Sequence, residues 1–161
     1  MNKKNIIFLA IATLVVLLDQ ATKAWVVAHM NLHDSYVVVS GLFNITYIRN
    51  PGAAFGLLAG MSPLFRYGFF IAVTVGAILL IIYYLRIAKI EDVPLVSALA
   101  LIFAGAVGNL IDRARFGEVV DFLDFYVGKH HWPAFNAADS AITVGAFIIA
   151  AIMLQRRKTK S

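Results

Sequence analysis

Along the chain, long apolar runs alternate with short stretches where polar residues gather. A helix rising ~1.5 Å per residue needs ~20 largely apolar residues to cross a bilayer. Four runs reach that length: about 6–28, 67–85, 93–111 and 137–154. The second and third each hold nineteen residues without a charge. The first invites comparison with a cleaved signal peptide, because Lys3 and Lys4 precede a thirteen-residue run from Ile6 to Leu18. No small-x-small cleavage site follows it and three more spans do, so it reads as a retained helix.

The connections differ in length and pattern. Segments 29–66 and 112–136 are long and fall on one side of a four-span bundle, whereas the link from Arg86 to Asp92 is short. Within the first, Tyr36 to Val39 and Leu42 to Ile48 are rich in branched and aromatic residues and flank Ser40-Gly41, the pattern of a β-hairpin. The expected architecture is mainly α: a polytopic membrane protein of four transmembrane helices with a small extracytoplasmic β-sheet, within a β-rich segment of about 30–65. With no internal repeat and no low-complexity linker, residues 1–161 read as a single integral-membrane domain.

Composition reinforces the pattern. The 161 residues are 61% apolar and 14% charged, with mean hydropathy +0.81, whereas soluble domains average ~45–50% apolar and ~25% charged. A soluble chain this short could not bury so much apolar surface. Disorder is excluded on the same ground, and the absence of cysteine removes disulfide scaffolds, Cys-ligated metals and thiol catalysis. The net charge of +5 does not indicate nucleic acid. Eight of the fourteen cations form three patches flanking the spans: Lys3 and Lys4; Arg86 and Lys89; Arg156, Arg157, Lys158 and Lys160. Cations interleaved with aromatics along a groove are missing. All three patches fall on one side, which the positive-inside rule makes the cytoplasm.

Polar residues inside the spans cost ~2.5–3.5 kcal/mol each at mid-helix and mark function by default. Counting helical rise from the basic side puts Asp19 at roughly 20 Å, and Asn109 and Asp139 at roughly 24 Å. Three separate helices thus bring polar groups to one level, in the outer leaflet. The plainer readings are interfacial polar groups, an Asp19–Lys23 ion pair at helical spacing, and a solvated helix end at Asp112, Arg113 and Arg115. Asp121 and Asp139 lack an obvious cationic partner. Asp139 opens the fourth helix, where the dipole favours negative charge, with Asn136 as N-cap. Asp121 follows the third helix in apolar surroundings, where desolvation raises a carboxyl pKa. Brought together, the two would share a proton, one accepting from water while the other donates to a scissile carbonyl.

Four motif blocks then stand out: Asp19-Gln20-Ala21-Thr22-Lys23; Asn50-Pro51-Gly52-Ala53-Ala54-Phe55-Gly56; Gly105-Ala106-Val107-Gly108-Asn109-Leu110-Ile111-Asp112-Arg113, continuing through Gly117 to Val119-Val120-Asp121-Phe122; and Trp132-Pro133-Ala134-Phe135-Asn136-Ala137-Ala138-Asp139. In this order the sequence resembles the bacterial lipoprotein signal peptidase (signal peptidase II) family over nearly its whole length. Ala104 stands where many members have glycine and Trp132 where phenylalanine is frequent; neither change removes a polar group. The resemblance implies an aspartic endopeptidase of the bacterial inner membrane, with both termini cytoplasmic and its site toward the periplasmic leaflet. It would remove the signal peptide from diacylglyceryl-modified prolipoproteins before the lipidated cysteine. By motif the catalytic pair is Asp121 and Asp139. Asn50 and Arg113 would orient substrate, Asn109 and Asn136 would hydrogen-bond around the pair, and Asp19, Lys23 and Asp112 would support them, with Gly52 and Ala138 at further motif positions. Its partners would be the lipid-modified prolipoprotein and membrane phospholipid, with no nucleic acid, no metal and no cofactor, and the chain would be a monomer.

Alternatives remain on the residues alone. A proton-coupled transporter would use intramembrane Asp and Lys as a relay, though transporters usually show repeats and more spans. A structural subunit has no need of polar groups at one level. His29, His33, His130 and His131 form no His-Glu-x-x-His pattern, which argues for interfacial histidines over a zinc protease. Ser140 reads as a helix-start residue, and Asp124 as a competitor for the place of Asp121 whose flank does not match. Gly52, Gly56 and Gly60 mark the first outer connection as a candidate lid.

Overall fold

The computed structural model describes residues 2–52, 60–89 and 92–158. Its order is α1 (Lys3–His29), β1 (Ser35–Val39), β2 (Phe43–Asn50), α2 (Pro63–Ile87), α3 (Val93–Phe116), β3 (Val119–Val127), β4 (His130–His131) and α4 (Ala137–Lys158). All four helices are long and apolar enough to cross a membrane. Each extends beyond the hydrophobic run that announces it. α3 continues past Ile111 through Arg113 and Arg115 to Phe116, so these charged residues are helical. It stops at Gly117, whose φ of +76° is left-handed and suits a residue without Cβ.

α3 is the central element, packed against α1, α2 and α4. Small residues allow the close approach. A Cβ on Gly145 would meet Ile102 and the Ala98 carbonyl, and one on Gly105 would meet the Ala138 carbonyl and Ile142. Outward faces stay apolar and exposed, with Leu14 at 59%, Leu79 at 62% and Phe147 at 72%. Surface of that kind has lipid as its solvent.

The sheet is antiparallel in the order β1-β2-β3-β4. The β1–β2 hairpin lies where the sequence indicates, with Gly41 in the left-handed region at its turn. The other half corrects the expectation that the sheet belongs to the first connection alone. β3 and β4 come from the second, so Asp121, which follows the third helix as expected, sits on a strand. The register Ile48↔Asp121 and Asn50↔Val119 places Asn50 diagonally across from Asp121. Segment 53–59, which includes Gly56 of the candidate lid, lies outside the described residues.

Candidate active site

At one end of the bundle, α1, α3, α4 and β3 deliver a continuous set of buried polar side chains. Lys23, one helical turn beyond Asp19, is 3% exposed. Its ammonium lies 2.9 Å from both Asp19 Oδ2 and Asp112 Oδ2 and donates to Asn109 Oδ1 at 3.0 Å. The Asp19–Lys23 pair is therefore part of a larger buried cluster, and Asp112 is not a solvated helix end. Both aspartates also tie backbone segments together. Asp19 Oδ1 accepts from Ala138 N at 2.9 Å, in the first turn of α4, and Asp112 Oδ2 accepts from Val120 N at 3.0 Å, on β3.

Asn109 and Asn136 carry this cluster to the second pair of carboxylates. Asn109 Nδ2 donates to Asp139 Oδ1 at 2.8 Å, and Asn136 Nδ2 donates to Asp121 Oδ1 at 2.7 Å. Asn109 Oδ1 accepts from Asn136 Nδ2 at 3.3 Å, joining the two amides. Asn136 is the N-cap of α4, its Oδ1 accepting from Asp139 N at 2.9 Å, while Asp139 Oδ2 accepts from Asn136 N at 3.3 Å. This reciprocal cap fixes the Asp139 side chain at the helix start. Across the sheet, Asn50 Nδ2 donates to Asp121 Oδ2 at 2.9 Å and Asn50 Oδ1 accepts from Gly52 N at 3.0 Å.

Asp121 and Asp139 open onto one cavity of about 650 Å³, whose lining also includes Asn50, Gly52, Asn109 and Arg113. Burial, and then the charge of Asp139, push the Asp121 carboxyl up from 3.8 to about 7, against the opposing pull of its hydrogen bonds to Asn50 and Asn136 and of Lys23. A carboxyl held there exchanges a proton near neutrality, the requirement for general acid–base work. Arg113 stands at the cavity with its guanidinium 4.8 Å from the Phe70 ring. Ala138 is fully buried, and its backbone N–H to Asp19 is its contribution.

Several participants escape a reading of the sequence. Gln20 donates from Nε2 toward Asp19 Oδ2, the Gly108 carbonyl and Asp112 Oδ1 at 3.1, 3.2 and 3.1 Å. Its place beside Asp19 in the first motif was the available signal. Gly108 leaves room for Asp19, since a Cβ there would lie 2.5 Å from Oδ2. Phe70 had no signal, being one apolar residue in an apolar helix. Asp124 faces away from the cavity group: Asn44 Nδ2 donates to it at 2.9 Å and His131 Nδ1 lies 2.8 Å from its Oδ1. Ser140 Oγ donates to the Asn136 carbonyl at 2.9 Å. Among the described residues, no group of three or more His, Cys, Asp or Glu side chains is placed to hold a metal.

Four helices long and apolar enough to span a membrane, with a cavity lined by two carboxylates between α2, α3, α4 and the sheet, define an integral membrane protein with a polar site. Its backbone is similar to a solved bacterial membrane enzyme determined by the in meso method, with TM-score 0.82 and 37% identity over 96% of this chain and 91% of that one. A second such structure gives TM-score 0.77 at 38% identity, covering 91% and 92%. The family model described as signal peptidase (SPase) II matches residues 11–155. A lipoprotein signal peptidase of Syntrophus aciditrophicus (strain SB) is 56% identical over the full length of both chains. One of Geobacter sulfurreducens is 49% identical over 96% of each. The chain belongs to the signal peptidase II family. Membership makes it a membrane peptidase acting in the removal of lipoprotein signal peptides, and leaves the transporter reading without support.

Proposed function

We propose that the chain is an aspartic endopeptidase that cleaves diacylglyceryl-modified prolipoproteins just before the lipidated cysteine, with Asp121 and Asp139 as its catalytic pair. The observation that carries this reading is that both carboxylates face one cavity and take their side-chain hydrogen bonds from neutral asparagine amides, with Arg113 at the same cavity acting on them without a direct ion pair among the described residues. With one proton between them, the ionised carboxylate takes a proton from a water molecule as the water attacks the scissile carbonyl. The protonated partner donates to the carbonyl oxygen, and the resulting gem-diol collapses as the amine leaves with a proton. The proton count of the pair is restored at the end of the cycle, so no cofactor or metal is required.

Asn50 and Arg113 flank the cavity and orient the substrate backbone. Asp19, Lys23 and Asp112 hold α1, α3, α4 and β3 in register behind the pair. The substrate supplies the lipid chains, which suits a cavity at bilayer depth. By the positive-inside rule the basic end lies in the cytoplasm and the cavity opens toward the periplasmic leaflet of the inner membrane, and the chain acts as a monomeric, single-domain enzyme. The direct test is cleavage of a lipid-modified prolipoprotein by purified Asp121→Asn and Asp139→Asn proteins, with membrane insertion verified separately. Retained turnover in either variant defeats the assignment. A reporter fused in the link between α2 and α3 is expected in the cytoplasm; a periplasmic signal reverses the orientation.

A further inference from the structure

The opposite end of the bundle holds a second recess. α2 and α4 both lie against α3, and toward the basic end they part to leave a groove of about 700 Å³. Leu95 and Leu99 of α3 form its apolar floor, and Ile87 and Ile152 belong to its two walls. Each wall carries one cation at the mouth, Lys89 beyond the end of α2 and Arg156 on α4. Arg156 is held there through an ion pair with Asp92, whose other oxygen caps α3 by accepting from Leu95 N at 3.4 Å.

The negative end of the α2 dipole would oppose an anion at this mouth. Lys4 removes that obstacle: it is buried, and its ammonium donates to the carbonyls of Leu85, Arg86 and Ala88 at 2.7, 3.4 and 2.9 Å. The α2 terminus is thus capped from its other face, and Lys89 and Arg156 keep donors for a ligand.

We propose that this groove binds one anionic glycerophospholipid, its phosphate bracketed by Lys89 and Arg156 and an acyl chain laid over Leu95 and Leu99. An apolar floor with cations on both walls matches a diacyl phosphodiester and favours it over a zwitterionic lipid, whose own cation would meet the two cations. The volume lies within the ~300–1,000 Å³ of ordinary ligand sites. The site is at the far end of the bundle from the aspartates, so it stands whether or not the peptidase mechanism above is right.

The test is native mass spectrometry of the full chain released from bilayers of equimolar phosphatidylcholine and phosphatidylglycerol. Retention of one phosphatidylglycerol per chain is expected, in about fivefold preference, from the single net positive charge that Lys89 and Arg156 retain beside Asp92, worth ~1 kcal/mol at an anionic headgroup. Lys89→Gln with Arg156→Gln should abolish the preference, and Ile152→Trp, which fills the groove with the cations intact, should abolish retention. Arg157→Gln, the loss of one charge outside the lining, should change neither. Equal retention of both lipids overturns the proposal, as does an Arg157→Gln effect as large as that of the groove variant. Retention by Ile152→Trp overturns the acyl-chain site. A two-chain mass that the groove variants convert to one chain would make the recess a dimer contact instead.

Discussion

Four aspartates take part in the polar cluster at one end of the bundle, Asp19, Asp112 and Asp121 buried and Asp139 half-buried, and they divide into two pairs with opposite surroundings. Asp19 and Asp112 share the ammonium of Lys23 and accept from the backbone of α4 and β3. Asp121 and Asp139 accept chiefly from side-chain amides and face the cavity. Residue type is the same in both pairs, so the difference lies in the donors. A cation together with backbone N–H groups occupies a carboxylate's oxygens and makes it a clamp between elements. Neutral amides fix orientation without supplying charge, which leaves the proton exchangeable. Asn109 links the two pairs, accepting from Lys23 and donating to Asp139, so that the clamp sets the geometry of the exchangeable pair.

The comparison breaks most readily at the cavity pair. Asp121→Asn and Asp139→Asn should each lower prolipoprotein cleavage by ~10³-fold or more, of the size seen when a catalytic group is removed. Thermal unfolding in detergent should stay cooperative in both. If either variant fails to fold, the pair belongs with the clamps.

Lys23→Met tests the other side. It leaves Asp19 and Asp112 buried without their cation, a loss of ~3–5 kcal/mol, read as a large drop in unfolding temperature together with lost activity. A variant of unchanged stability and reduced turnover would make Lys23 part of the chemistry.

The pH dependence sharpens the contrast. Asp121 sits at about 7 in the folded chain, against 3.8 as its ordinary value. Between those values the folded state holds a proton that the unfolded state has released, so stability falls as pH rises through that window and levels off above it. The loss across that window should total on the order of 4 kcal/mol and disappear in Asp121→Asn. Activity should decline as pH passes about 7, when the pair loses its shared proton. Unfolding temperatures and cleavage rates from pH 4 to 9 check both.

The smallest effect is expected at Asp124. Asp124→Asn breaks a half-exposed pair with His131 away from the cavity, costs about 1 kcal/mol or less, and should leave cleavage near the parent rate. A dead Asp124→Asn beside an active Asp121→Asn would exchange the two roles.

Much of this organisation is legible in the residues. Apolar run length marks all four helices because lipid imposes one length requirement on each, and helical rise alone brings Asp19, Asn109 and Asp139 to a common level. The N-cap at Asn136 is local chemistry and equally readable. The second half of the sheet is not. Val119-Val120-Asp121-Phe122 reads only as an apolar stretch following the third helix, and β3 exists because β2, about seventy residues earlier, offers it an edge. Asp124 carries the same chemical signal as Asp121, and only the strand register turns one toward Asn44 and the other toward Asn50.

The sequence by itself determines a four-span membrane chain, its basic end and the depth at which its polar groups meet, because these follow from hydrophobic run length and rise per residue. Tertiary structure alone decides which aspartate faces a lysine and which faces an asparagine. That choice rests on contacts between α1, α3, α4 and β3, none of them neighbours along the chain except α3 and β3, and on glycines such as Gly108 whose purpose appears only when Asp19 lies against it. A carboxylate's function is set by its donors, and the donors arrive from other elements.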